Sequence, residues 1–250
     1  MTMSCAGSSR RSRPFRRILA VCLLPVLALV AGAQTDEFAG FDEADEGSAI
    51  RDPVAPVNRG IYVVNDTLYF WIVKPLATGY AKVLPEGIRD GVGNVFDNLG
   101  MPRRGVNCLL QGNLAGLGDE LGRFLINSTV GVLGFCDVAA RHCGLEAHPE
   151  DFGQTLGVYG VGDGLYLTLP IFGPSNPRDT VGLVADTFLD PVNYVVQDLP
   201  LRLGIRAGDR VNHTSLHLGD YEMSKETALD HYVWLRESYT QYRDEQIRRR

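Results

Sequence analysis

The chain has 250 residues, 45% of them hydrophobic and 22% charged, with a formal net charge of −6. That length and apolar content suffice to bury a sizeable core in one or two domains. The acidic balance argues against nucleic acid as a partner, because nucleic-acid binding rests on cationic neutralisation of phosphates.

Arg10, Arg11, Arg13, Arg16 and Arg17 precede an apolar run from Ile18 to Val30. Ala31, Gly32 and Ala33 then supply the small residues that a signal peptidase needs, so residues 1–33 read as a secretory signal peptide. The run is too short for a comfortable membrane span, and no later run approaches about 18 uninterrupted apolar residues. Cleavage removes five arginines and no acids, which takes the net charge from −6 to about −11. Asp36, Glu37, Asp42, Glu43, Asp45 and Glu46 crowd the region that follows, so 34–51 reads as an acidic disordered arm.

Residues 60–84 do not pattern as an ordinary amphipathic helix. Ile61, Tyr62, Val63, Val64, Leu68, Tyr69, Phe70, Trp71, Ile72 and Val73 point in nearly every helical direction. A helix that is apolar all round belongs in a core or in lipid, and both readings stay open. Tyr69, Trp71, Lys74 and Tyr80 are of the types that settle at a bilayer interface.

Pro85 marks the start of a helix over 86–99, with Ile88, Val92, Val95, Phe96 and Leu99 at helical spacing and Gly100 and Pro102 ending it. Leu114, Leu117, Leu121, Phe124 and Leu125 form the stripe of a second helix, with Arg123 and Asn127 one turn apart on its flank. Further on, Val130, Val132, Leu133 and Phe135 surround Gly131 and Gly134, small residues that let helices approach closely in lipid. In 150–179, Gly153, Gly157, Gly160, Gly162, Gly164 and Gly173 alternate with large apolar side chains. Glycine costs about 1 kcal/mol in a helix interior, so these serve turns or close backbone approach. Residues 165–169 suit a short strand. A third helix is expected from near Pro177, capped by Ser175 or Asn176, burying Val181, Val184 and Phe188 before Pro191. The last is expected from about Glu222 to Arg243, with Leu229, Tyr232, Val233, Leu235 and Tyr239 on its apolar side and 246–250 as a basic tail. The fold class is all-α.

Cys108, Cys136 and Cys143 remain after the leader. Export permits a disulfide: Cys136 and Cys143 could close a small loop, or stay as buried free thiols. Zinc on Cys136, His142, Cys143 and His148 fits no standard ligand framework, and no metal site is expected. Catalytic motifs fail in turn. Gly91-Val92-Gly93 lacks the third glycine of a dinucleotide fingerprint and follows no strand, and 157–164 has no Lys-Ser/Thr for a phosphate loop. No Gly-x-Ser-x-Gly elbow occurs. No cofactor is expected. His148 beside Glu150 and Asp151 remains as an acid/base cluster, though polar residues opening a loop more often cap or turn it.

The glycine-rich block opening at Glu150 and Asp151, with Gly122-Arg123-Phe124-Leu125-Ile126-Asn127 upstream, resembles the VacJ/MlaA family of outer-membrane phospholipid-transport proteins. Other pieces recur in the family's order: Asp52-Pro53, Val57-Asn58-Arg59, Val64-Asn65-Asp66, Lys74-Pro75, residues 95–99, Asn107 with Leu110-Gln111-Gly112, Gly134-Phe135-Cys136-Asp137, and Arg178-Asp179. The likeness covers about 52–245. It implies a ring-like helical bundle embedded in one leaflet of the outer membrane, on the periplasmic side, around an amphipathic channel. Phospholipids astray in the outer leaflet would pass through it to a periplasmic lipid carrier, with a trimeric porin alongside and no bond broken.

On that resemblance Tyr62, Phe70, Trp71 and Ile72 are expected to face lipid. Gly131, Gly134, Phe135, Gly160, Gly162 and Gly164 are expected to shape the channel wall or a mobile loop. Arg123, Asn127, Asp137, Arg178 and Asp179 are signature polar residues, expected to hold the ring together rather than touch substrate, because an unpaired charge near lipid is costly. The chain departs from the family at its leader. Most relatives carry an acylated cysteine after the signal, whereas here Ala31-Gly32-Ala33 leads into Gln34. Cys22 follows Val21, a poor penultimate residue, so the expected mature N-terminus is Gln34 without an acyl chain. Two other readings stay open: a soluble periplasmic lipid-binding or scaffold protein, and an exported hydrolase using His148, Glu150 and Asp151.

Overall fold

The structure, a computed structural model, describes residue 50 and residues 52–249. The signal peptide, the Gln34 terminus and the acidic arm before residue 50 lie outside the described residues. Helix α1 (Ala55–Leu68) runs into a π-helical turn (Tyr69–Val73) and on into α2 (Lys74–Val83) with helical backbone at both junctions. Pro75 explains the widened turn: it has no N–H to give the Trp71 carbonyl, and its ring needs room beside that group.

After the turn at Pro85 come α3 (Glu86–Leu99), α4 (Met101–Leu110) and α5 (Leu114–Thr129), the last started by the Asn113 side chain accepting from the Gly116 amide at 2.9 Å. The same device starts α6 (Val138–Cys143) at Asp137 and α7 (Phe152–Val158) at Asp151. A two-stranded antiparallel hairpin, β1 (Leu167–Leu169) and β2 (Gly173–Ser175), sets Leu167 opposite Ser175 and turns through Ile171. Asn176 caps α8 (Pro177–Thr187); α9 (Val192–Val195), α10 (Leu199–Leu216), α11 (Asp220–Thr227) and α12 (His231–Arg248) complete the chain. Helix α10 packs on α2 and α3, α4 on α5, and α12 on α7 and β2. Helices α7 and α8 approach so closely that a Cβ on Gly182 would lie 2.4 Å from the Gly153 amide nitrogen.

The interior is polar and the exterior apolar. Asn58, Asn107, Glu120, Arg236 and Asn212 are fully buried, whereas Trp71 is 80% exposed, Val195 80% and Leu133 76%. This inversion overturns the burial expected of Val181, Val184 and Phe188. Helix α5 buries Glu120, Arg123 and Asn127 and exposes Leu114, Leu121 and Leu125. Helix α8 buries Arg178, Gly182 and Asp186, while Val181, Val184 and Phe188, expected in the core, face outward. Amphipathic spacing marks the two faces of a helix but does not say which solvent lies outside.

Other expectations are corrected as well. The single last helix is two, because Asp230 turns its side chain back to the amides of Tyr232 and Val233 and starts α12 afresh. Leu229, expected on the apolar stripe, stands fully exposed in the break. Helix α12 continues into the residues read as a basic tail, ending at Arg248. Gly100 and Pro102 end one helix only for α4 to begin at once. The strand is shorter than 165–169 and has a partner. Cys136 and Cys143 are exposed free thiols, and of the described cysteines only Cys108 is buried. Cys143 closes the six-residue helix α6, which begins two residues after Cys136.

Candidate functional site

Two closed polar networks frame the molecule. In the first, the Arg123 guanidinium donates to Asp137 Oδ2 at 2.9 Å and to the Leu145 carbonyl at 2.8 Å. Asn127 donates to the other Asp137 oxygen at 2.9 Å and accepts from the Ala139 amide at 3.0 Å. Burial works to raise the Asp137 carboxyl, but bonds from Asn127, the Ala140 amide and Arg123 prevail and hold it below the usual carboxylate range. Three signature residues thus clamp α5 to α6.

The second network centres on Arg243 of α12. Its guanidinium grips Asp151 at 2.6 and 2.9 Å and Asp179 at 2.8 Å through two bonds. Arg178 adds a 3.0 Å bond to Asp179, and Tyr239 donates to it at 2.5 Å. Burial would raise Asp179, yet the donors from Arg243, Tyr239 and Arg178 hold it down to about 2. These forked charge-assisted bonds tie the start of α7, the start of α8 and α12 into one knot.

A third region is open. A cavity of about 670 Å³ lies between α1, the π-helical turn, the hairpin, α10, α11 and α12, a size usual for small-molecule sites. Leu68, Ile72, Val73, Phe172 and Leu235 make its wall mainly apolar, and Tyr62, Asn65, Thr214 and Ser224 place polar atoms there. Asn65 positions the hairpin by donating to the Leu169 carbonyl at 2.9 Å and accepting from the Ile171 amide at 2.7 Å. His231 bonds Tyr62 at 2.9 Å and Ser224 at 3.1 Å through its two ring nitrogens. Burial, then the Lys225 charge, lowers its basicity, and burial raises the Tyr62 phenol to about 12; both groups are neutral at pH 7.

The residues expected to face lipid separate. Trp71 and Ile72 are exposed, and Ile72 also borders the cavity. Tyr62 is half-buried on the cavity wall, and Phe70 is half-buried beneath Tyr69 and Tyr221, with the Lys225 ammonium 5.0 Å above its ring. The expected channel residues lie on two segments away from this cavity's lining. In the loop after α5, a Cβ on Gly131 would meet the Cys136 carbonyl at 2.2 Å, and Gly134 has φ +91 with Asn98 pressed against it. Phe135 lies on Gly91 of α3, while Val132 and Leu133 carry positive φ, a strained state for a branched residue. Gly160 and Gly164 turn the segment after α7 with φ +84 and +80, and Gly162 has open space around it.

The acid/base cluster disperses: His148 Nε2 bonds Asp119 at 3.0 Å, Glu150 accepts from Gln111 at 3.0 Å, and Asp151 belongs to the Arg243 knot. Among the described residues, no group of three His, Cys, Asp or Glu side chains could hold a metal ion. Sequence reasoning missed Arg210, His213 and His217 on the cavity wall because it did not recognise α10. The alternation Leu199, Leu201, Leu203, Ile205 hides a helical period, and the signal available was Asp198-Leu199-Pro200, which places Pro in a first helical turn. It also missed Arg243, which had no motif to mark it.

Residues 50–246 match the family model described as MlaA lipoprotein. The chain is 34% identical over 196 residues to the intermembrane phospholipid transport system lipoprotein MlaA of Escherichia coli K12, covering 77% of each chain. The protein of that name from Haemophilus influenzae is 28% identical over 90% of this chain and 88% of its own. An uncharacterized protein of Rickettsia conorii, RC0123, is 34% identical over 79% of this chain and 78% of its own. A solved structure reported as "Structural basis for maintenance of bacterial outer membrane lipid asymmetry" superposes with TM-score 0.70 at 30% identity, covering 79% of this chain and 99% of that one. With its ordered motifs, polar interior and helical fold, this chain belongs to the MlaA lipoprotein family.

Proposed function

We propose that this chain is the outer-membrane component of a phospholipid transport system, one that withdraws mislocalised phospholipid from the outer leaflet and so maintains lipid asymmetry. The single observation that carries the reading is the inverted burial: ion pairs and amides inside, large apolar side chains outside. Water does not stabilise that arrangement, whereas a hydrocarbon leaflet does. Among the described residues no helix is long and apolar enough to cross a membrane, which suits a body lying in one leaflet, on the periplasmic side. The exposed Trp71, Ile72 and Leu133 are then lipid-facing.

The chemistry needed is passage, not bond cleavage. A conduit shelters acyl chains with apolar walls and lets a headgroup slip past polar ones, and the cavity beside α1 offers both. The strained loop at 131–135 and the glycine turn at 160–164 supply the backbone freedom for movement. Release to a periplasmic lipid carrier, beside a trimeric porin, completes the role. The names borne by the Escherichia coli and Haemophilus relatives support phospholipid transport.

The test is a clean deletion in the native bacterium. Outer-leaflet phospholipid should rise, with sensitivity to detergent plus chelator, and the gene in trans should reverse both. Unchanged outer-leaflet phospholipid would count against the assignment.

A further inference from the structure

The cavity has an apolar interior and a charged edge, and the two are supplied by different elements. The interior comes from α1, the π-helical turn and α12, through Leu68, Ile72, Val73 and Leu235. The edge comes from α10, where Arg210 and His213 succeed one another at helical spacing, and from His217 just past its end; all three border the cavity. The two imidazoles stack with centroids 4.4 Å apart, and the His217 Nδ1 lies 2.9 Å from the His213 carbonyl.

Most cations among the described residues are spoken for. Arg59 pairs with Asp230, Lys74 with Glu222, Lys225 with Asp66, and Arg206 with Asp190, all at 2.7 to 2.8 Å. Arg210 makes no ion pair or hydrogen bond within the described residues, although it is exposed at the mouth of an apolar hollow. On its own helix Asp209 precedes it and His213 follows by one turn, and both feel its charge. Burial chiefly lowers the His213 imidazole's basicity, and the neighbouring His217 and Arg210 add to the effect against Asp209 and Asp97. A neutral imidazole beside a guanidinium gives these two side chains one positive charge between them, with N–H donors on both. Asp220, ten residues along the chain from Arg210, borders the same cavity and carries the opposite sign. An anion entering the mouth is therefore repelled from the α11 side and drawn toward the middle of α10.

We propose that Arg210 and His213 form a phosphodiester site at the mouth of this cavity, holding a phospholipid headgroup while an acyl chain occupies the apolar interior. The inference rests on the transport reading and adds to it the residues that recognise the phosphate. One guanidinium matches one monoanionic phosphodiester, and the planar fork of arginine suits two of its oxygens. The geometry also accounts for an aromatic and aliphatic hollow that begins where the charge ends: the junction of headgroup and acyl chain is a boundary of the same kind. Free inorganic phosphate or a glycerophosphodiester shares the chemistry but leaves the hollow empty, so the lipid is the intended ligand.

The experiment titrates the full exported chain, held in amphipol, with short-chain phosphatidylglycerol below its micellar concentration, in parallel with the corresponding diacylglycerol and with free glycerophosphoglycerol. Arg210→Gln and His213→Gln alter exposed side chains, and circular dichroism checks that the fold is retained. Arg210→Gln should weaken phosphatidylglycerol binding about tenfold, the scale of a lost charge-assisted hydrogen bond. His213→Gln should weaken it several-fold, Arg210→Lys should restore part of the loss, and diacylglycerol binding should not change. Wild-type affinity for phosphatidylglycerol in Arg210→Gln overturns this inference and leaves the transport reading standing. Glycerophosphoglycerol binding as tightly as the lipid also overturns it, by removing the cavity from the site. A wild-type chain that binds no phospholipid at all overturns it together with the lipid-handling role of the cavity.

Discussion

The Arg243 knot and the cavity beside α1 are both rich in polar groups, and they differ in what those groups face. Around Arg243 nearly every strong donor meets a carboxylate of the same chain: Asp151, Asp179, Asn176, Arg178 and Tyr239 satisfy one another within 2.5 to 3.0 Å. Around the cavity, Arg210 and Asp220 border open space. Such dense internal pairing makes a rigid element, because any rearrangement breaks several charge-assisted bonds in a low dielectric. Groups left facing a void keep their bonding capacity for something that enters. The contrast divides the molecule into a frame and a place for a ligand.

The largest expected effect comes from breaking the frame. Arg243→Ala leaves Asp151 and Asp179 without their common partner in a buried setting, which should cost about 3–5 kcal/mol. Its sign would be a steep fall in steady-state abundance and in thermal midpoint, with transport lost in proportion. Gly182→Val tests the frame by packing: its side chain would be driven into the Gly153 backbone, so α7 and α8 should separate and abundance should collapse likewise. Near-normal abundance in both would dissolve the distinction between frame and cavity.

Acid should act on the frame at lower cost. The Asp179 carboxyl is held at about 2 in the folded chain and returns to about 3.9 when unfolded. Folding therefore gains from its ionised state at every pH above about 4. That gain fades as pH falls from about 4 toward 2 and is gone below both values, a loss of roughly 2–3 kcal/mol. Denaturant midpoints measured across that interval should fall with pH in the wild type, and fall less in Asp179→Asn, which starts lower.

Substitutions away from the frame should leave folding alone. Trp71→Ala removes a large exposed apolar side chain and should weaken membrane partition by about 2 kcal/mol. Vesicle flotation reads this out, with the melting curve unmoved. Smallest of all in its effect on abundance is Gly162→Val, since nothing stands within 4 Å of the position. Transport should nonetheless decline, because a branched residue restricts the turn between Gly160 and Gly164. Equal loss of abundance and transport would make that turn purely structural.

Much of this was legible in the chain, and it was legible in particular places. The helical class, the start of α3 at Pro85, the cap of α8 at Asn176 and the strand in 165–169 follow from local rules of propensity and capping. Arg123, Asn127, Asp137, Arg178 and Asp179, singled out by their motifs, lie in the two polar networks. Orientation was not legible. The stripe of Val181, Val184 and Phe188 has the same period whether it faces a core or a bilayer.

What the sequence determined by itself is therefore the helical class, some of the helix starts and the family, because these depend on neighbours a few positions away or on ordered motifs. What only the tertiary structure decided is the partner of each charge and the direction of each face. Arg243 meets Asp151 across 92 positions and Asp179 across 64. Asp52 at the start of the helical domain is buried against Tyr232 and Arg236 near its end. Arg210 and His213 share a wall with Leu68 and Ile72, more than a hundred residues earlier, only once α10 has packed onto α2. Such pairings depend on which helices lie side by side, and local periodicity carries no information about that.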